Sequence, residues 1–408
     1  MIFRRPLLLA LATLAFAALG RAADAPLILI SLDGFRWDYC EKYSEASPTL
    51  RQLKREGVST SGLIPVFPTN TFPNHYTIVT GLYPAKHGIV NNDFLDPESG
   101  LIFRYNQPAV VHDSRWWGGE PIWVTAIKQG HKASTSFWVG SEAAVGGVRP
   151  THWRKYDGSI PFEKRIDELV SWFTVPPAER PVMASFYLDE TNAAGHKYGP
   201  DAPEVAKAVA NCDRAVALIL ERLRHEGIEP NLIIISDHGM IATSEKRVVF
   251  LEDYYDRSKV QIDTEGSAAA LRPLDGDVEG LMRALKDIPH AKAYRVADLP
   301  ARLHFSGNPR IAPVWVLPEE GWHFGTRAGY EKLTKRYAPL PYLGGDHGYD
   351  PALRNMHGLF IAHGPAFRRG KEIPQFENIH IYNLMCAVLK LKPAPNDGDD
   401  RLVKSVLK

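Results

Sequence analysis

Cysteine is scarce in this chain: Cys40, Cys212 and Cys386 are the only three in 408 residues. They lack the close spacing of a thiolate-built structural zinc site, so any metal has to be held by histidines and oxygen ligands. Their spacing assigns no disulfide, and Cys386, inside the apolar helical run 381–391, reads as a buried free thiol. An excess of one charge is missing as well. Lys+Arg 48 against Asp+Glu 47 leave a net +1. No basic patch stands out, which argues against capture of long nucleic acid and leaves small phosphorylated substrates open. Internal repeats and low-complexity tracts are absent. Long apolar runs are absent too, with one exception: Leu7 to Leu19, preceded by Arg4 and Arg5 and followed by Gly20-Arg21-Ala22. Residues 1–22 therefore read as a secretory signal, with an apolar stretch too short to span a bilayer comfortably; the alternative is an uncleaved anchor. Cleavage would remove three arginines and no acid, taking the net charge from +1 to near −2. The expected location is periplasmic or secreted, with no membrane span in the mature chain.

What is present is ordinary globular material, 45% hydrophobic and 23% charged, long enough for one large domain with an insertion. Short apolar runs recur, and several end in residues capable of chemistry. Leu27 to Leu32 leads into Asp33-Gly34, Val182 to Leu188 into Asp189-Glu190, Asn231 to Ser236 into Asp237-His238-Gly239, and Leu359 to Ala362 into His363-Gly364. Runs of this kind read as strands buried on both faces of a mostly parallel sheet, and helical patterns such as 203–225 lie between them. The expected fold is α/β, a mostly parallel central sheet flanked by helices. Ligands in such sheets bind beyond the carboxyl ends of the strands, which would bring Asp33 and Asp237-His238 together across about two hundred residues. Residues 241–335 change character, with short strand-like and helix-like pieces. They are expected to form a small inserted α+β subdomain, with 23–240 and 336–408 as the catalytic unit.

Aspartates and histidines recur beside glycines: DG at 33–34, GHKYGP at 195–200, SDHGM at 236–240 and GGDHGYD at 344–350. One Asp-His pair is weak, since a solvated loop explains it as well. Four such segments point to a metal site, and aspartate with histidine suits zinc, which is common where an anionic phosphate must be clamped. Pro73 suits the first turn of a helix, which places Thr71 just before the helix N-terminus, where free amides favour an anion. An alkoxide there could be stabilised enough to act as a nucleophile, although taken alone the position reads as a helix cap.

Beyond these local signals the chain resembles the nucleotide pyrophosphatase/phosphodiesterases of the alkaline phosphatase superfamily. The resemblance is carried by FPTNTFPNHYTIVTGLYPAKHGIVNNDF (67–94), FWVGSEA (137–143), GHKYGP, SDHGM, HGYDP (347–351) and IYNLMCAVLKLKPAPNDG (381–398). It implies an alkaline phosphatase-like fold and two zinc ions per chain. One zinc would be held by Asp33, Thr71, Asp237 and His238, the other by the position of Asn192 with His196 and His347. Thr71 matches the nucleophile that is transiently phosphorylated or nucleotidylated, and Asn92 the donor to a phosphate oxygen beside the Thr71 amide. Phe72 and Tyr156 match the aromatics that hold a nucleotide base. The implied substrate is a small phosphodiester or nucleotide.

The chain departs from the family pattern at Asn192, where the family usually has aspartate four residues before the histidine of GH. An amide oxygen can ligate zinc but carries no charge. Three readings stand: Asn192 is a direct ligand, Asp189 or Glu190 reaches in instead, or the metal is lost there. Rival activities are a lipid phosphodiesterase or phosphomonoesterase of the same superfamily. A weakened or non-catalytic zinc-binding relative is the rival from outside the enzymes.

Overall fold

The computed structural model describes residues 25–337 and 343–408. The expected signal segment, residues 1–22, lies outside them. At the centre is a seven-stranded sheet whose strands run in the spatial order 371–373, 58–60, 360–363, 231–235, 27–32, 183–188, 133–136. Strand 27–32 pairs in parallel with both 183–188 and 231–235, and 133–136 continues in parallel beside 183–188. The sheet is buried on both faces, as the unbroken apolar runs require. Leu27 and Leu29 enter one core, while Ile28, Ile30 and Leu32 enter the other.

Helices cover both faces. Thr71–Thr80 and Ile381–Leu389 pack on the side of Leu27 and Leu29, and Pro48–Glu56 and Pro203–His225 on the side of Ile28. The long helix begins with proline at its first position, where a missing N–H costs nothing. All three cysteines are buried free thiols.

Strand 360–363 corrects one expectation. It runs antiparallel to both of its neighbours, 231–235 and 58–60. His363 therefore pairs with Leu232 at the start of that strand, and its ring lies 3.7 Å from Glu56, at the end of the sheet away from Asp237. The apolar run correctly marks a strand but says nothing about its direction.

Residues 260–318 build a second sheet, four antiparallel strands in the order 260–264, 269–273, 314–318, 291–295. Leu271, Leu281, Leu285, Val314 and Val316 give it a core of its own. It reaches the main body at Ser267, whose hydroxyl donates to the backbone carbonyl of His347. Among the described residues no helix is long and apolar enough to cross a membrane.

Candidate active site

Three segments meet at the carboxyl ends of the central strands. Asp33 follows strand 27–32, Asp237 and His238 follow strand 231–235, and helix 71–80 sits over them. All of Asp33, Asp237 and His238 are buried, and one ligand atom from each lies within 4.8 Å of the others. Gly34 makes the junction possible. Its φ is +66°, and a Cβ there would come within 2.9 Å of the Asn192 Cα, so only glycine lets the turn bring helix 190–198 this close.

The hydrogen bonds fix which atoms remain available. His238 Nδ1 donates to the Gly239 carbonyl at 2.9 Å, His196 Nδ1 to the Gly345 carbonyl at 2.9 Å, and His347 Nδ1 to the Thr69 carbonyl at 3.1 Å. A carbonyl can only accept, so each Nδ1 carries a hydrogen and Nε2 is the nitrogen turned toward the site, the outer-shell arrangement of metal-binding histidines. His238 Nε2 lies 3.3 Å from Thr71 Oγ1, 3.0 Å from Asp237 Oδ2 and 3.5 Å from Asp33 Oδ1. Asp33 Oδ1, Asp237 Oδ2 and Asn192 Oδ1 are buried side-chain oxygens with no hydrogen-bond partner.

Buried lone pairs that converge without donors need positive charge between them. Burial first, and Asp237 second, raise the Asp33 carboxyl to about 7. Burial also opposes charge on Asp237, but His238 and His75 outweigh it and hold that carboxyl well below its usual range. His238 is carried up to about 9: burial works against its charge, and Asp237 then Asp33 overcome it. Two carboxylates forced apart in this way, with a histidine between them, make a site that a divalent cation fits. His347 is held well below its ordinary value by burial and then by His238, so its ring is neutral.

Asn192 and His196 stand four residues apart in helix Glu190–Tyr198 and so share one face of it. They line the same cavity as His347, whose ring centroid is 4.9 Å from that of His196 and 3.6 Å from that of His238. Asp189 lies elsewhere in the wall, accepting from the Tyr156 hydroxyl at 3.4 Å. Glu190 is held up by burial, and Arg165 is the cation that acts on it.

Thr71 is not the cap of its helix. Asn70 occupies that position, without a capping side-chain bond, and Thr71 is the first helical residue. Asn92 Oδ1 accepts from the Phe72 backbone N–H at 3.0 Å, which pins the amide against the first turn and leaves its NH2 free to donate. Thr71, Phe72, Asn92, Tyr156, Asn192, His196 and His347 all line one cavity of about 540 Å³. Phe72 is braced by Phe103, Tyr105 and Trp117, and Tyr156 by Phe137 at 5.1 Å, its ring 48% exposed at the mouth.

Sequence reasoning missed two buried groups at the floor. The Tyr187 hydroxyl donates to Asp33 Oδ2 at 2.5 Å, and the His75 ring lies 3.2 Å from Asp237 Oδ2. Both sit in apolar stretches where they pass for core residues. The available signal was strand alternation, since Tyr187 pairs in register with Ser31, beside Asp33.

Comparisons with known proteins show the family. A profile described as Type I phosphodiesterase / nucleotide pyrophosphatase matches residues 27–350. A venom phosphodiesterase of Macrovipera lebetinus is 40% identical, the match covering 94% of this chain and 45% of that protein. Human ectonucleotide pyrophosphatase/phosphodiesterase family member 1 is also 40% identical, over 94% of this chain and 42% of its own. The chain thus spans less than half the length of these curated relatives. Murine ectonucleotide pyrophosphatase / phosphodiesterase 5 superposes with a TM-score of 0.86 at 32% identity, covering 94% of this chain and all of that one. The same murine protein is also known in an inactive threonine-to-alanine form in complex with AMP. Fold, sequence and site together place the chain in the type I phosphodiesterase / nucleotide pyrophosphatase family.

Proposed function

We propose that the chain is an exported hydrolase of small phosphodiesters or nucleotide pyrophosphate bonds, with Thr71 as its nucleophile. The observation that carries this is the position of Thr71 Oγ1. It sits on the first turn of a helix, 3.3 Å from Nε2 of His238, at the floor of a cavity walled by aromatic rings. We assign two zinc ions per chain, one to Asp33, Thr71, Asp237 and His238, the other to Asn192, His196 and His347. When bound, they would supply Lewis acidity toward the phosphate and its attacking and leaving oxygens. Asn192 lines the cavity with an orphaned oxygen, whereas Asp189 is engaged with Tyr156 and Glu190, whose Oε2 is orphaned too, does not line it; this supports Asn192 as the direct ligand.

The chain's own residues account for the rest. Phe72 and Tyr156 would take a base between them and set the phosphorus over Thr71. Thr71 Oγ1 gives up its proton to solvent and forms its bond to phosphorus as the bond to the leaving oxygen breaks, and that oxygen takes up a proton from solvent. Water then cleaves the Oγ1–phosphorus bond and restores the hydroxyl. The Asn92 NH2 and the backbone amide of Thr71 would stabilise the charge that builds on the phosphoryl oxygens. We assign residues 23–240 and 336–408 to this catalytic unit and 241–335 to an insertion beside it. The leader at 1–22 supports export, and the venom and ectoenzyme relatives agree with it.

The test is Thr71→Ala beside Thr71→Ser, assayed on p-nitrophenyl-TMP and p-nitrophenyl phosphate with and without added zinc. Alanine should abolish turnover of the diester and serine should keep a measurable part of it. Wild-type turnover by Thr71→Ala would refute the nucleophile, and a preference for the monoester would refute the substrate class.

A further inference from the structure

Thr71 can act only if the turn that carries it is held still against the strand that carries Asp33. We propose that His75 does this, as a positioning residue clamped between Ser31 and the backbone of Thr71 itself. The inference rests on the reading of Thr71 as the nucleophile.

His75 is wholly buried and lies one helical turn beyond Thr71. Its Nδ1 is 2.9 Å from the Thr71 carbonyl oxygen, and its Nε2 is 2.8 Å from Ser31 Oγ. The carbonyl accepts only, so Nδ1 is the donor. The Ser31 hydroxyl can take either role and satisfies Nε2 in whichever state the ring adopts. Ser31 is wholly buried too and stands two residues before Asp33, on the same face of the central strand. One ring therefore joins the nucleophile's own peptide to the strand that ends in Asp33.

The ring has little freedom. Trp138 and Tyr187 meet it edge-on with centroids 5.1 and 5.3 Å away, and the Trp138 indole N–H donates to the His75 carbonyl at 3.2 Å. Asp237 Oδ2 lies 3.2 Å from Nδ1 yet has no hydrogen-bond partner, so the N–H is aimed at Thr71 and the carboxylate oxygen stays available. A plain core residue would need none of this. Phenylalanine or leucine would fill the space without the cost of burying two ring nitrogens. What the histidine adds is direction at two atoms, and one of those atoms belongs to the residue that must attack. A displacement on the order of 1 Å at a reacting group costs about 100-fold in rate.

The two nitrogens can be tested separately. Asparagine places its NH2 where Nδ1 stood, and glutamine places its amide near the former Nε2. The full-length, metal-replete protein is assayed as wild type, His75→Asn, His75→Gln, Ser31→Ala and Thr71→Ala. For each, kcat and KM on p-nitrophenyl-TMP, zinc content and Tm are measured. His75→Gln should lose about 10- to 100-fold in kcat with KM and zinc content little changed. His75→Asn should recover most of that loss although it leaves the larger void, so kcat and Tm should rank the two variants differently. Ser31→Ala, a milder change that keeps the fold if the His75 variants do not, should lower kcat without raising KM.

Equal kcat losses in His75→Asn and His75→Gln would overturn the proposal, as would losses that follow Tm or zinc content alone. So would an unchanged kcat in Ser31→Ala. Thr71→Ala separates the two levels of argument: if it retains turnover, the nucleophile is wrong. If it is inactive while His75→Gln turns over at the wild-type rate, only the positioning role falls.

Discussion

His87 should make the protein lose stability as the pH falls below neutral, by an amount the structure lets us work out. The ring is wholly buried just beyond the helix that carries Thr71. Its Nδ1 accepts from the Ile89 backbone N–H at 3.1 Å, so Nε2 carries the hydrogen and meets the Thr77 hydroxyl at 3.0 Å. Burial pushes the pKa down from the ordinary 6.5 to about 3. A histidine lowered in the fold takes up its proton first in the unfolded chain, so stability is intact above pH 6.5 and declines as the pH falls toward 3. At pH 5 the loss is ~2 kcal/mol, from 1.36 kcal/mol per pH unit over the 1.5 units below 6.5. With an unfolding entropy of ~2.1 cal/mol/K per residue over the chain, that is about 2–3 °C in Tm. Other groups titrate in the same window, so the assay is a difference. Tm is followed from pH 7.5 to 5 in the wild type and in His87→Gln, whose amide cannot be protonated there. The two curves should converge toward acid by about 2–3 °C. Parallel curves would refute the argument and would mean that the native fold can accommodate the His87 imidazolium.

Three further outcomes follow from the site. Tyr156→Ala should weaken a nucleotide diester by about 1–3 kcal/mol, the worth of one base stack, and bis-p-nitrophenyl phosphate much less; equal losses, read as KM ratios, would favour a lipid diester instead. Asn192→Asp should shift the zinc requirement to lower concentration by restoring a charge opposite His196 and His347, measured by metal analysis during chelator titration. Gly239→Ala should destabilise by at least ~1–3 kcal/mol, because its Cβ would fall 2.1 Å from the Asn355 carbonyl oxygen and displace the His238 turn; thermal unfolding reads this directly.

Much of the fold was legible because burial on both faces leaves a plain mark. The runs at 27, 183 and 231 are apolar without alternation, and they became neighbouring parallel strands. The helix expected over 203–225 has those very bounds. Direction was not legible. The run ending at His363 looks like the others, but its orientation depends on the path of the preceding chain, which composition does not record. The placement of Asp33 beside Asp237-His238 followed from one rule, that chemistry gathers at the carboxyl ends of parallel strands. That rule holds here because four adjacent strands share a direction and end at one edge.

The groups that the sequence hid explain what the rule cannot reach. Asp33 announces itself beside Gly34 and Asp237 beside His238, both at strand ends, where an uncompensated charge is costly in a core. Tyr187 and His75 stand inside a buried strand and a buried helix, and each is a side chain that cores accept. Their importance appears only when the oxygens they face are known: Tyr187 takes up Asp33 Oδ2, and His75 turns its N–H to the Thr71 carbonyl. The oxygens left over, Asp33 Oδ1 and Asp237 Oδ2, are the ones that converge with His238 Nε2. Around these two carboxylates the supporting donors narrow the choice by subtraction, the Tyr187 hydroxyl engaging Asp33 Oδ2 and the Gly34 N–H and Ser236 hydroxyl engaging Asp237 Oδ1. The same subtraction applied to Asn192 leaves its oxygen without a donor. An amide kept only for packing would gain from turning that oxygen toward an N–H, since an unpaired buried polar atom costs about 1–3 kcal/mol. Asn192 lines the same cavity as His196 and His347, and the ligand role proposed for it would give that unpaired oxygen a partner.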